Sequence, residues 1–355
     1  MRSTSLAKAK KKTLPKDFED LLKKSNLEKL KSVFTSCDVN ARGGYSKQTA
    51  LAFDQCPDKL AHWLVEQRAD LAATDIYGNT PLHTQACHSK GCIGVLLESG
   101  ADVNHGENLR GTPLHAAAGA FQATVARLLL QHGARVDAVN QQGQTPLAYA
   151  LERCSNAQIE AMAELAQILL DAGAQPTTEM KTSVTRIGTN FEFHRHNFNR
   201  DYLAATSHAL ERLYALFHVP PVPLRRVHDG KSKIVAQSPQ WEDQHQELWQ
   251  FLVPSSGAAA TVQGEVIRIS GRIHIELEDN GGINWDREYR KMADAFLTHI
   301  GSGKSLDQSL LTEAHELVTE VKRKNGDPRR LCELAVMWVK LNPTPRKLTR
   351  PDYSR

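Results

Sequence analysis

At 355 residues, 41% hydrophobic and 24% charged, the chain has the make-up of a globular protein large enough for two domains. No apolar run approaches the ~18 residues of a membrane span, and the first twenty residues lack the apolar segment of a secretory leader. The six cysteines are scattered without a Cys-x-x-Cys pair, which argues against a disulfide framework or a zinc site. A cytoplasmic protein without membrane contact is expected.

The net charge of +4 is unevenly spread. Residues 1–16 carry six Lys/Arg and no acid, and residues 322–355 carry ten against three acids, so the body between them is acidic. Such a body is a poor nucleic-acid-binding core, although a basic end could still touch a phosphate backbone. Residues 1–16 are expected to be a solvated, mobile basic tail.

From residue 17 the chain repeats itself. "KQTALAF", "GNTPLHT", "GTPLHAA" and "GQTPLAY" align on Thr49, Thr80, Thr112 and Thr145, at intervals of 31, 32 and 33 residues. Small-residue turns precede the last three registers: "RADLAA", "SGADVN" and "HGARVD". Leu71, Val103 and Val136 each stand nine positions before the next threonine. Leu-Val or Leu-Leu pairs precede the turns, and "AQILLDAGAQP" closes the series at Pro176. A period near 33 is the mark of stacked supersecondary units. Threonine suits the N-cap and proline the first helical turn. Leu82, Leu114 and Leu147 then point into the stack, and Gly100, Gly133 and Gly173 end the second helices in left-handed caps. His83 and His115 are locked to the repeat, which predicts bonds to the turn backbone rather than a metal.

These motifs resemble the ankyrin repeat over roughly residues 18–176, with "DFEDLLKKSNLEKLKSVFTSCDVNARGG" as an N-terminal capping unit. Phe121 stands where that family usually has glycine, and about seven extra residues lengthen the last unit. The resemblance implies a solenoid of about four to five units with a concave surface that binds other proteins. The turn tips and first-helix starts are then the expected contacts: Asp75, Ile76 and Tyr77; His105, Glu107, Asn108, Leu109 and Arg110; and Asn140, Gln141 and Gln142. Tyr77 and Arg110 stand out, because aromatic and arginine anchors dominate interface energies.

After Pro176 the period vanishes. A connection over 177–185 is expected, then a mostly helical domain over 186–345 and a basic tail over 346–355, so the whole chain is mainly α. Tyr202, Thr206, Leu210, Leu213, Tyr214 and Phe217 share one helical face. A short β-hairpin is expected around Asp229-Gly230. Val262, Val266, Ile269, Ile273 and Leu277 form the next stripe, and Asn284 is the expected cap of a helix burying Trp285, Tyr289, Met292, Phe296 and Ile300. Leu310, Ala314, Leu317, Val318 and Val321 mark another, and Asp327-Pro328 opens the last. Residues 245–300 resemble a segment of small bacterial proteins of uncharacterised function. Ile159, Met162, Leu165 and Ile168 give the last repeat more apolar surface than one seam needs, which predicts that the helical domain docks there as a cap, in one rigid body.

Three motifs could carry chemistry. "GSGKS" at 301–305 is similar to a phosphate loop, but Thr298 holds the place of its first glycine and a helix precedes it, so a helix-ending turn is expected. His194 and His196 fall on one side of an expected strand, a weak metal signal. Glu265, Arg268, Arg272 and Glu276 run along one helical face. Such a stripe is either a ladder of ion pairs or a grip for an anionic ligand. No metal, cofactor or catalytic set is expected. The reading is a non-catalytic adaptor, bacterial in origin, that neutralises a toxin or serves in a defence system. The alternative is a helical domain that binds nucleic acid or an anionic ligand, with the repeats as a targeting arm.

Overall fold

Lys11–Thr13, expected in a mobile tail, form strand β1, which pairs parallel with β2 (Cys37–Gly43). From β2 the chain turns back antiparallel as β3 (Gln48–Thr49). The computed structural model describes residues 9–88, 91–106 and 111–355. Between β1 and β2 lie α1 (Phe18–Lys24) and α2 (Leu27–Ser36); Phe18 meets Phe34 and Phe53 edge to face, sealing this end of the array. The hairpin is therefore here and not around Asp229-Gly230. There the Asp229 carboxylate accepts from its own backbone at Lys231 and Ser232, an Asx turn. The flanking N–H groups of His228 and Ile234 bond to Phe251 O and Pro343 O rather than to a partner strand.

The repeats follow in order. At Thr49 a single 3₁₀ turn (Ala50–Ala52) replaces the first helix, then comes α3 (Asp58–Glu66). The residue three beyond Thr49 is Ala52, which cannot return a capping bond, and the carbonyls of Leu51 and Phe53 are taken by the buried Gln85 amide at 2.8 Å each. Three full helix pairs follow: α4 (Pro81–Ala86) with α5 (Ile93–Glu98), α6 (Pro113–Gly119) with α7 (Ala123–Gln131), and α8 (Pro146–Arg153) with α9 (Ile159–Asp171). First helices stack on first helices and second on second. Thr80 and Thr112 make full capping boxes whose return partner is the histidine, and each histidine also reaches the next tip: His83 Nε2 to Gly111 O at 3.0 Å, His115 Nε2 to Gln144 O at 2.9 Å. Gly100, Gly133 and Gly173 are left-handed, as expected, and so are Arg68 (φ 64°) and Phe121 (φ 56°), where L side chains are strained.

The array is covered at its far end by α10 (Thr178–His194) and α11 (Arg200–Phe217). α11 packs along α9, burying Ile159, Met162 and Leu165, while Arg186 of α10 bonds the carbonyls of Leu151 and Glu152 at 2.9 Å. Helix α10 thus runs through the stretch expected as a connection. It also carries His194, with His196 in the 3₁₀ turn that follows, so neither lies on a strand. The first compact unit ends at Phe191 and includes Asn199–Val222; Glu192–Phe198 and Pro223–Arg355 form the second. The cap comes from helices that the sequence places mostly in the second domain. Thr206, Leu210, Leu213, Tyr214 and Phe217 are buried as expected, but Tyr202 is exposed.

The second unit is built around α13 (Val262–His274), which packs on α12 (Trp241–Leu252), α14 (Arg287–Ile300) and α16 (Pro328–Leu341); α15 (Gln308–Val321) lies against α14 and α16. A π turn, Ile275–Asp279, continues α13. Asp286, not Asn284, caps α14, accepting from the N–H groups of Glu288 and Tyr289. "GSGKS" follows the end of α14 as a turn, with Lys304 N bonded to Asn342 Oδ1. Residues 346–355 are packed rather than a tail: Leu348 N bonds Ala260 O, Val262 N bonds Arg346 O, and Tyr353 is buried. Among the described residues no helix is long and apolar enough to cross a membrane.

Candidate functional site

Two of the repeats begin at a tip whose shape is set by one side chain. Asp75 Oδ1 accepts from the backbone N–H of Tyr77 (2.8 Å) and Asn79 (2.9 Å), and Gly78 at φ 79° completes the turn. Asn140 does the same for Gln142 and Gln144, with Gly143 at φ 75°. Asp75 and Asn140 are therefore turn formers, with Oδ1 of each committed to backbone and Asp75 Oδ2 accepting from the Asn79 amide. What the turns present is Ile76 and Tyr77, 59% and 51% exposed, and Gln141 and Gln142. His105 is half-buried, its ring edge-on to His83 at 5.7 Å. Glu107, Asn108, Leu109 and Arg110 lie outside the described residues.

Beside the tips, the first helices line a concave pocket of about 410 Å³. Thr84, Ala116, Gly119 and Ala120 form a floor of small residues, with Tyr77 at one rim and Tyr149 and Arg153 at the other. Gly119 makes this shape: a Cβ there would come within 2.5 Å of Tyr149 Cε1, so only glycine lets the ring lie across α6. The Arg153 guanidinium sits 5.2 Å over the same ring. Tyr149 and Arg153 were not among the expected contacts. Their signal was in the alignment, because positions four and eight after the threonine hold Thr84/Ala116/Tyr149 and His88/Ala120/Arg153, varying while the leucine at position two stays fixed.

In the second unit the charged stripe splits into three fates. Glu265 and Arg268 are buried and paired, with Nε and Nη2 of the guanidinium 2.9 and 2.6 Å from the carboxylate. Tyr353 Oη and the Ala259 N–H donate to the same carboxylate, and Arg268 Nη1 donates to Arg355 O. Burial pushes the Glu265 pKa up, but Arg268, Tyr353 and the Ala259 N–H together hold it below the usual range. Glu276 instead accepts from Asn284 N at 2.6 Å and from the Asn280 and Asn284 amides. Arg272 is half-buried and has no hydrogen-bond or ion-pair partner among the described residues. Only one pair of the expected ladder forms. Among the described residues no three His, Cys, Asp or Glu side chains gather to hold a metal.

Residues 49–134 and 85–180 match the family model for ankyrin repeats (3 copies). The chain is 32% identical over 149 residues to human Ankyrin repeat and SOCS box protein 16, a match covering 39% of this chain and 33% of that protein. It is 40% identical over 93 residues to a putative ankyrin repeat protein of Rickettsia felis, covering 25% and 41%. Human Ankyrin repeat and SOCS box protein 9 is 33% identical over 120 residues, covering 33% and 37%. The chain thus spans well under half the length of each of these relatives.

Proposed function

We propose that this chain, whose residues 49–180 form an ankyrin-repeat array, is a non-catalytic adaptor that holds one protein partner against its concave pocket and turn tips. The observation that carries the reading is the division of labour within each repeat. Fixed residues build the turns and caps, whereas the pocket and tips present residues that differ from repeat to repeat, with Tyr77, Tyr149 and Arg153 at the rims. Aromatic and arginine side chains around a floor of small residues are the composition of an interface hot spot. A cytoplasmic location and a narrower role, neutralising a bacterial toxin or serving in a defence system, belong to the same proposal. They rest on the sequence reading alone.

The test is capture from native lysate by the full chain, run beside Tyr149→Ala and Arg153→Glu. A partner retained in stoichiometric amount by the parent, and bound at least about tenfold more weakly by each variant, supports the proposal. Both variants must show unchanged circular dichroism. No stoichiometric partner, or capture by both variants equal to the parent's, rejects it.

A further inference from the structure

A pocket of about 440 Å³ lies entirely within the second unit, on the side of α13 that carries Arg268 and Arg272. That volume suits a small ligand rather than a bare ion. Its most informative residue is Arg272. Arginine and glutamate four apart on a regular helix come within reach of each other, yet Glu276 makes no ion pair with Arg272. The π turn explains why: Asn280 N bonds Ile275 O, an i to i+5 step that widens the helix just where Glu276 sits. Glu276 is thereby turned to the 280–284 bend, and the Arg272 guanidinium is left with donors unused.

The other walls narrow the chemistry. Asn197 Nδ2 donates to the Ser255 and Ser256 oxygens at 2.7 and 3.0 Å, which leaves both hydroxyl hydrogens able to donate into the pocket. Three N–H bonds occupy Glu276, and its remaining lone-pair site can accept one hydroxyl. A wholly anionic ligand would be repelled by that carboxylate, whereas an anion bearing hydroxyl groups satisfies both it and Arg272. Aromatic residues also line the pocket, and each already has ring or cation neighbours. Trp249 lies near-parallel to Phe193, with His245 a second ring neighbour, Arg225 lies 4.1 Å over Phe193, and Tyr289 is stacked on Trp285 with Arg355 over its ring. A flat base would have to compete with these neighbours for the rings, whereas a polyol needs no stacking face.

We propose that this pocket binds a small polyhydroxylated anion, a sugar or polyol bearing a phosphate or a carboxylate, with Arg272 on the anionic group and Glu276, Ser255 and Ser256 on the hydroxyls. This site is separate from the protein-binding reading and stands or falls without it.

The test is calorimetric titration of the full chain with glucose 6-phosphate, gluconate and adenosine monophosphate. Saturable binding of either sugar anion at millimolar dissociation constant or tighter is expected; glucose 6-phosphate alone identifies the phosphate form and gluconate alone the carboxylate form. Arg272→Gln should weaken it at least about tenfold and Arg272→Lys less, since a point charge keeps part of the attraction. Because Arg272 makes no hydrogen bond or ion pair among the described residues, its variants should unfold close to the parent's midpoint, and Ser255→Ala gives a second, uncharged probe of the same pocket. No saturable binding of either sugar anion overturns the proposal. So does affinity unchanged in Arg272→Gln, or tighter binding of adenosine monophosphate than of both sugar anions.

Discussion

Lowering the pH from 7 to 5 should destabilise the repeat array through His83. Burial lowers its pKa from 6.5 to about 4, against the opposing bond to Gly111 O. The contacts explain the preference: Nδ1 faces the Thr80 N–H and hydroxyl, and Nε2 faces the Gly111 carbonyl, so the neutral ring with hydrogen on Nε2 satisfies both sides. A second proton would point at Thr80. The unfolded chain takes up that proton below about pH 6.5 while the native one stays neutral until about pH 4, so the contribution is complete above 6.5 and lost as the pH falls through this window. The two values imply a loss of about 2 kcal/mol at pH 5 and about 3 kcal/mol below pH 4. The assay is urea unfolding at pH 7 and pH 5, followed by circular dichroism, for the parent and for His83→Gln. Glutamine can rebuild the capping box but does not titrate. His245, also held near 4 mainly by burial, is common to both proteins and cancels in the difference. If parent and variant lose the same stability between the two pH values, to within about 0.5 kcal/mol, the account of His83 is wrong.

Glu265→Gln should cost the second unit about 3–5 kcal/mol, because it leaves Arg268 buried without its counter-charge, and Tyr353→Phe about 1.5–3 kcal/mol. Tryptophan fluorescence reads both, since Trp241, Trp249, Trp285 and Trp338 all lie in that unit; losses under about 1 kcal/mol would mean the network is not holding α13. Arg68→Gly should stabilise the array by up to about 1 kcal/mol, as relief of left-handed strain outweighs glycine's entropy, and a lower thermal midpoint would contradict this. A chain ended at Pro176 uncovers Ile159, Met162 and Leu165 and should aggregate or melt its last repeat early; if it stays monomeric with the parent's midpoint, α11 is not the cap.

The repeat fold was legible because its signals are local and redundant. Thr-Pro at a helix start and glycine after its end act through backbone preferences that need no distant partner. The ends of the array were harder to read for the converse reason. β1 exists only because β2 lies beside it, and "KKT" alone has no strand pattern. The break expected after Pro176 marked where the period stops, but α10 and α11 lack the repeat's motifs while burying the face its last member exposes. Hydrophobic stripes identify α11, α13, α14 and α15, though not α12, and do not say which core each one fills.

The sites show the same division between local and distant causes. Asp75 and Asn140 appeared to be contact residues because they occupy tips, yet acidic and amide side chains at those places bond their own backbone first. Tyr149 and Arg153, which line the pocket beside the tips, stand in columns of the repeat alignment that vary. The charged stripe is the deeper case. Spacings of three and four assume 3.6 residues per turn throughout, and on that assumption Arg272 meets Glu276. The π turn breaks the assumption after His274, and the bend at Asn280–Asn284 supplies the donors that hold Glu276 away. A regular helix would have brought this pair within reach of each other. The irregular one keeps an arginine and a glutamate side by side with separate tasks, which is the arrangement a ligand carrying both a negative group and hydroxyls requires.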